Sequence, residues 1–126
     1  GYYDSTPGSQ DYPSPAMSWL YPDRGDFIAV VGRMQDINAV RQVKAALLSS
    51  RDLSVYSMNA PGFIPGIDFS DHLNYWQHDI PAVMITDTAF YRNKQYHLPG
   101  DIADRLNYQK MAQVVDGVTT LLYNSK

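Results

Sequence analysis

The stretch Phe27-Ile28-Ala29-Val30-Val31 is a continuous apolar run closed by Gly32, and an apolar stripe at helical spacing follows it almost at once. An unbroken run of this kind suits a strand buried on both faces, which only helices or loops packed over a sheet can provide. Asp36 stands as an N-cap before Ile37, Val40, Val43, Ala46 and Leu47, a helical stripe that fades near Ser50. Leu53 to Met58 reads as a second, weaker strand. Ala82-Val83-Met84-Ile85-Thr86 is the clearest buried strand, introduced by Pro81 where a ladder donor is dispensable. Asn107 then caps a helix with Met111, Val114, Val115, Val118 and Leu122 on one side. Strands alternating with helices predict an α/β fold with helices packed on a largely parallel sheet.

By length the chain is a single domain, 1–126, able to bury a real core. Residues 1–25, rich in Pro, Gly, Ser, Asp and Tyr, read as a long loop. Loops of that size are uncommon in compact domains, and this one reads as the exit from a strand upstream of Gly1. Asn59 to Phe69 is a further loop, after which Ser70 can cap a short helix through about His78 with Leu73 and Trp76 inward. The few strands leave exposed sheet edges, another sign of missing sheet. With no initiator Met and no signal-like segment, the chain reads as a processed product or a piece of a longer protein.

The formal charge of -3 gives no electrostatic reason for a nucleic-acid or anionic membrane partner. No apolar run approaches the roughly 20 residues that span a bilayer. Cysteine is absent, which removes disulfides, a thiolate nucleophile and Cys-based zinc sites. Tyrosine is enriched, with 10 copies; these read as amphipathic packing with the hydroxyl left wet, and one or two can face a substrate.

In open α/β sheets, functional groups collect in loops beyond the carboxyl ends of the strands. Asp71 follows the strand ending near Met58, and Asp87 and His97 follow the strand ending at Thr86, so all three are expected on one rim. His97 lies in Tyr96-His97-Leu98-Pro99-Gly100-Asp101, a loop from which an imidazole can project, with Asp101 near enough to orient the ring or the loop. A loop histidine can equally be a surface residue. Asp71, at a helix start, either complements the helix dipole or hydrogen-bonds an active-site group. His72 orients or underlies its loop, and His78 suits the end of the same helix. There is no Gly-x-Ser-x-Gly elbow, Walker loop or Gly-x-Gly-x-x-Gly. Arg92 can bind a carboxylate or simply be solvated.

In order along the chain stand Ser70-Asp71-His72, Ile80-Pro81-Ala82-Val83-Met84-Ile85-Thr86-Asp87-Thr88, Arg92-Asn93, Tyr96-His97-x-Pro99-x-Asp101 and Asp104-Arg105-Leu106-Asn107-Tyr108. This series resembles the C-terminal part of the co-catalytic zinc aminopeptidases, the family of bacterial leucyl aminopeptidase, with glutamate carboxypeptidase, glutaminyl cyclase and the transferrin receptor ectodomain as relatives. Gly1-Tyr2-Tyr3, Pro7-Gly8-Ser9-Gln10 and Tyr12-Pro13 resemble the segment just after a metal-ligand carboxylate in one bacterial subgroup, so the resemblance covers essentially the whole chain.

The resemblance implies a zinc exopeptidase-like fold, the C-terminal portion of a mixed, mostly parallel sheet flanked by helices, and a site in which paired zinc ions acidify a bridging water and stabilise an oxyanion. Of the family's ligands, only the last His maps here, as His97. Asp71 matches an Asp that hydrogen-bonds near the site, and Tyr96 and Arg92 fall on the substrate-pocket wall. The remaining ligands and the general-base Glu would precede Gly1, for residues 1–60 contain no His and no Glu-Glu pair. The expectation is therefore the C-terminal part of a zinc aminopeptidase acting on peptides, inactive alone, completed by an N-terminal half or a second protomer. Its relatives are often exported, which favours the periplasm or secretion. Two other readings stand beside it: a glutaminyl cyclase-like acyltransferase, and a non-catalytic binding or assembly module of the same fold.

Overall fold

The apolar run at Phe27 forms strand β1 (Phe27–Gly32), at the centre of a sheet ordered β2-β1-β3 in which β2 is Ser54–Asn59 and β3 is Met84–Thr86. This computed structural model describes residues 2–12, 15–50, 53–59, 77–88, 91–96 and 98–124. Strands β1 and β2 pair in parallel from Phe27↔Ser54 to Gly32↔Asn59. Their crossover is helix α2 (Ile37–Leu48), preceded in the chain by a single short turn of helix, α1 (Met17–Leu20). Strand β3 pairs with β1 antiparallel, Ala29 opposite Thr86 and Val31 opposite Met84. The sheet is thus mixed rather than largely parallel: of its two strand pairs one is parallel and the other antiparallel.

Alternation along β1 divides the core. Ile28 and Val30, with Val55 of β2, face Val40, Val43 and Leu47 of α2, and all are buried. The last helix, α3 (Tyr108–Asn124), lies against α2 and adds Val114, Val118 and Leu121 to the same cluster. Its Gly117 is buried where a Cβ would stand 2.7 Å from Leu47 Cδ2 and 2.9 Å from Leu47 Cα. Only glycine allows the two helices this close. The stripe expected on α3 is rotated in fact: Val115 is 62% and Leu122 65% exposed.

The other face of β1 carries no long helix among the described residues. Phe27 meets Tyr56 edge-on at 5.2 Å, Tyr56 meets Tyr21 at 6.1 Å, and Tyr21 meets Tyr12 at 6.0 Å. The Tyr12 and Tyr21 hydroxyls donate to the carbonyls of Pro22 and Ser57. This is the amphipathic packing the tyrosine excess suggests, though these two hydroxyls bond to protein rather than to water. The long N-terminal loop is therefore a cover for the sheet, closed by a bridge from Asp4 to Gly25.

Helix starts divide between expectation and correction. Asn107 Oδ1 accepts from Lys110 N at 3.0 Å, the bond an N-cap makes to the third helical residue. Asp36 precedes α2 but makes no side-chain cap. Its carboxylate instead accepts from Arg33 Nε at 2.7 Å and Nη2 at 3.1 Å. A two-pronged ionic pair outcompetes a cap for the same oxygens.

Candidate functional site

The antiparallel sense of β3 separates groups that a parallel sheet would gather. Asn59, at the carboxyl end of β2, lies beside Gly32, whereas Thr86, at the carboxyl end of β3, lies opposite Ala29 toward the start of β1. The loops that leave β2 and β3 therefore depart from opposite ends of the sheet. This corrects the premise of a shared rim for Asp71, Asp87 and His97. Hydrophobic pattern locates this strand, which is shorter than expected and only half-buried at Met84–Thr86, but carries no information on its direction. Asp71 and His97 themselves, with Ser70 and His72, lie outside the described residues.

At the carboxyl end of β1 and β2 the Arg33–Asp36 pair is joined by Asp79, whose Oδ1 is 3.4 Å from Arg33 Nη1, and by Asn59, whose Nδ2 donates to Arg33 O at 2.9 Å. Asp36 is 4% exposed, so its charge is held in the fold by this partner. The helix-cap reading concealed this cluster. Its one sequence signal is the Arg33/Asp36 spacing of three residues.

At the other end, Asp87 follows β3 and its Oδ2 accepts from Tyr2 N at 2.8 Å. Thr88 turns the chain with φ +68, an uncommon conformation for a β-branched residue. Arg92 then enters the interior. It is 2% exposed, donates from Nε to Gln10 Oε1 at 2.8 Å and from Nη1 to Tyr2 O at 3.0 Å, and lies over the rings of Phe27 and Tyr3 at 4.7 and 5.6 Å. Burial holds its guanidinium below the usual arginine range, opposed by the Asp87 carboxylate. Arg92 was expected on a pocket wall or in solvent; it is instead a buried tie between the N-terminal segment and the loop after β3.

Tyr96 is 39% exposed and so can meet a ligand. The loop around it is fixed at several points. Asn93 Nδ2 donates to Asp101 Oδ1 at 2.9 Å, and Asn93 Oδ1 accepts from Gln95 N at 3.0 Å. Tyr96 N reaches Asn93 O, Leu98 N reaches Gln95 O, and Asp101 N reaches Leu98 O. Asp101 thus orients the loop, one of the two roles its spacing suggests. Arg105 closes the base through Gly100 O and the Tyr2 hydroxyl.

Between the Ile28 and Ile85 side of the sheet and α3 lies a cleft of about 360 Å³, bounded also by Tyr3, Asp87, Met111 and Val115. It is largely apolar. The buried Tyr3 hydroxyl has no hydrogen-bond partner among the described residues, and burial pushes its pKa up to about 12 despite the nearby Arg92 charge. Among the described residues no group of three or more His, Cys, Asp or Glu side chains is placed to hold a metal ion. Among them, too, no helix is long and apolar enough to cross a membrane.

No protein-family model matches the chain, and no solved structure matches it. It is 93% identical over all 126 residues to YfbL of Escherichia coli (strain K12), a protein described as uncharacterized, and spans 39% of that protein's length.

Proposed function

We propose that the chain is the C-terminal part of a zinc-dependent exopeptidase, an aminopeptidase, to which it supplies the last zinc-ligand histidine, His97, and the pocket residue Tyr96. The observation that carries this reading is the clasp formed by Asn93 and Asp101, which fixes the residues on both sides of His97. A metal-ligating imidazole needs a loop held in this way, for its orientation comes from the atoms behind it. The match to a much longer protein supports reading the chain as a part. The described residues do not by themselves fit a pair of zinc ions, so no hydrolytic step is assigned to this chain. An exported location belongs to the same proposal.

Calorimetric zinc titration tests it, on the chain alone and on the longer E. coli protein. The expected result is no tight binding by the chain, and binding of about two zinc ions by the longer protein, reduced by His97→Ala. The longer protein should also release N-terminal residues from peptides. Tight binding by the isolated chain would overturn the reading as a part. Absence of zinc from the longer protein would overturn the reading as a zinc enzyme, and cyclisation of an N-terminal Gln peptide would move it to acyl transfer.

A further inference from the structure

Thr88 is a β-branched residue held in the left-handed backbone region, at φ +68. Glycine, asparagine and aspartate enter that region readily, whereas a Cβ carrying two further heavy atoms does not. Such a residue persists only where its surroundings over-determine it. Two of the holds on Thr88 are local: its N–H donates to Thr86 Oγ1 at 3.0 Å, and its carbonyl accepts from Tyr91 N at 3.1 Å. A third reaches it from 78 positions away. Thr88 Oγ1 accepts from Gln10 Nε2 at 2.9 Å and donates to Gln10 Oε1 at 3.2 Å.

Gln10 is well placed to impose a backbone conformation on another segment. It is buried, its own N–H is fixed on Asp23 O at 2.9 Å, and its amide oxygen also accepts from Arg92 Nε. Asp11, next in sequence, donates from N to Tyr91 O at 2.7 Å. Two successive residues of the N-terminal segment therefore grip Thr88, Tyr91 and Arg92. Beyond that grip, Asn93 ties itself to Gln95, Tyr96 and Asp101, so whatever sets the start of the loop also aims Tyr96. Positive and negative φ are separated by forbidden backbone, which gives Thr88 two discrete arrangements rather than a continuum.

We propose that Gln10 and Thr88 form a conformational latch that positions the Tyr96 loop. Closed, Gln10 keeps Thr88 left-handed and the loop lies against the N-terminal segment. Open, Thr88 returns to negative φ, the Asp11–Tyr91 bond parts, and the loop is re-aimed with its Asn93 clasp intact. Gln10 is thus a positioning residue for Tyr96. What Tyr96 then meets rests on its reading as a pocket residue; the latch itself does not.

Backbone amide exchange, with NMR couplings that report the sign of φ at Thr88, tests this on the chain. Gln10→Ala should turn Thr88 to negative φ. Exchange at Asp11 and Tyr91 should quicken at least about tenfold relative to β1, while Gln95 and Tyr96, inside the clasp, change less. Adding Thr88→Asn to Gln10→Ala should restore slow exchange at Asp11 and Tyr91. Asparagine favours the left-handed backbone yet returns none of the bonds that Gln10 made, so a merely structural hydrogen bond would not be rescued in this way. A Thr88 that stays left-handed in Gln10→Ala, or a double variant that exchanges as fast as Gln10→Ala, overturns the latch. If Gln10→Ala quickens β1 equally, Thr88→Val decides, since it removes only the hydroxyl. Faster exchange at Asp11 and Tyr91 with β1 unchanged upholds the latch, and any other pattern overturns it. Failure of the latch leaves the zinc reading standing, and absence of zinc from the longer protein leaves the latch standing.

Discussion

Arg92 and Gln10 are both buried, and the guanidinium Nε donates to the amide Oε1 at 2.8 Å across 82 positions of sequence. Gln10 is in turn held by Thr88, since its Nε2 donates to Thr88 Oγ1 at 2.9 Å. The pair closes the N-terminal loop onto the segment after β3, and Gly25 makes room for it. A Cβ at Gly25 would stand 2.7 Å from Arg92 Cγ, Cδ and Nε.

Replacing Arg92 with Ala should therefore cost about 2–4 kcal/mol, because the buried Gln10 and the half-buried Tyr2 carbonyl lose a charged donor. Arg92→Lys should recover only part of this, since one ammonium cannot reproduce the forked geometry. Urea denaturation of the chain checks both. A pocket-wall arginine would leave the midpoint where it is.

At Gly117 two effects of opposite sign compete. Alanine in a helix interior is favoured over glycine by about 1 kcal/mol. The added methyl would meet the Leu47 backbone at 2.9 Å, and backbone cannot step aside as a side-chain tip can. Overpacking of this kind costs about 1–3 kcal/mol, so Gly117→Ala should be destabilising on balance, by up to about 2 kcal/mol. A midpoint that rises would show that α2 and α3 separate at little cost.

The Tyr3 hydroxyl gives a pH dependence with a definite sign. Its pKa and that of Tyr12 are raised from 10.0 to about 12, in both cases chiefly by desolvation. The unfolded chain then ionises first, so the stability from keeping these phenols neutral is complete below pH 10 and is lost as pH rises toward 12. Tyr3→Phe removes a buried hydroxyl that has no partner among the described residues. It should leave neutral-pH stability equal or higher and make the alkaline loss shallower, as followed by phenolate absorbance and unfolding midpoints at several pH values.

Local pattern reached β1, α2 and the Asn107 cap because each depends on neighbours in sequence. The direction of β3 was illegible, since a buried run reads the same in parallel and antiparallel pairing. The burial of Arg92 was equally hidden, as its partners Gln10 and Tyr2 lie 82 and 90 positions away. Asp36 was legible as a carboxylate before a helix, but not as Arg33's partner, because two local bonds competed and the ionic one won. On α3 the apolar spacing marked a helix correctly. It could not show which half of a wide apolar arc meets Leu47 and which half, at Val115 and Leu122, meets solvent.

Asn93 bears most directly on the proposed role of His97. It is 6% exposed and uses both ends of its amide, donating to Asp101 and accepting from Gln95 N. Asn93→Ala should loosen the loop by roughly 1–2 kcal/mol, read as faster amide exchange at Gln95 and Tyr96. Exchange in β1 should change less, because the lost bonds lie outside the sheet. Asn93→Asp keeps the acceptor for Gln95 N but sets a second carboxylate against Asp101. Its loop should open at neutral pH and close again as pH falls through the carboxylate range, which a purely steric defect would not do. On the proposed reading of His97 as a zinc ligand, Asn93→Ala in the longer E. coli protein should also weaken zinc affinity about 10–100-fold, the usual effect of removing support behind a ligand. Faster loop exchange with unchanged zinc affinity would separate the clasp from the metal and count against His97 as its ligand.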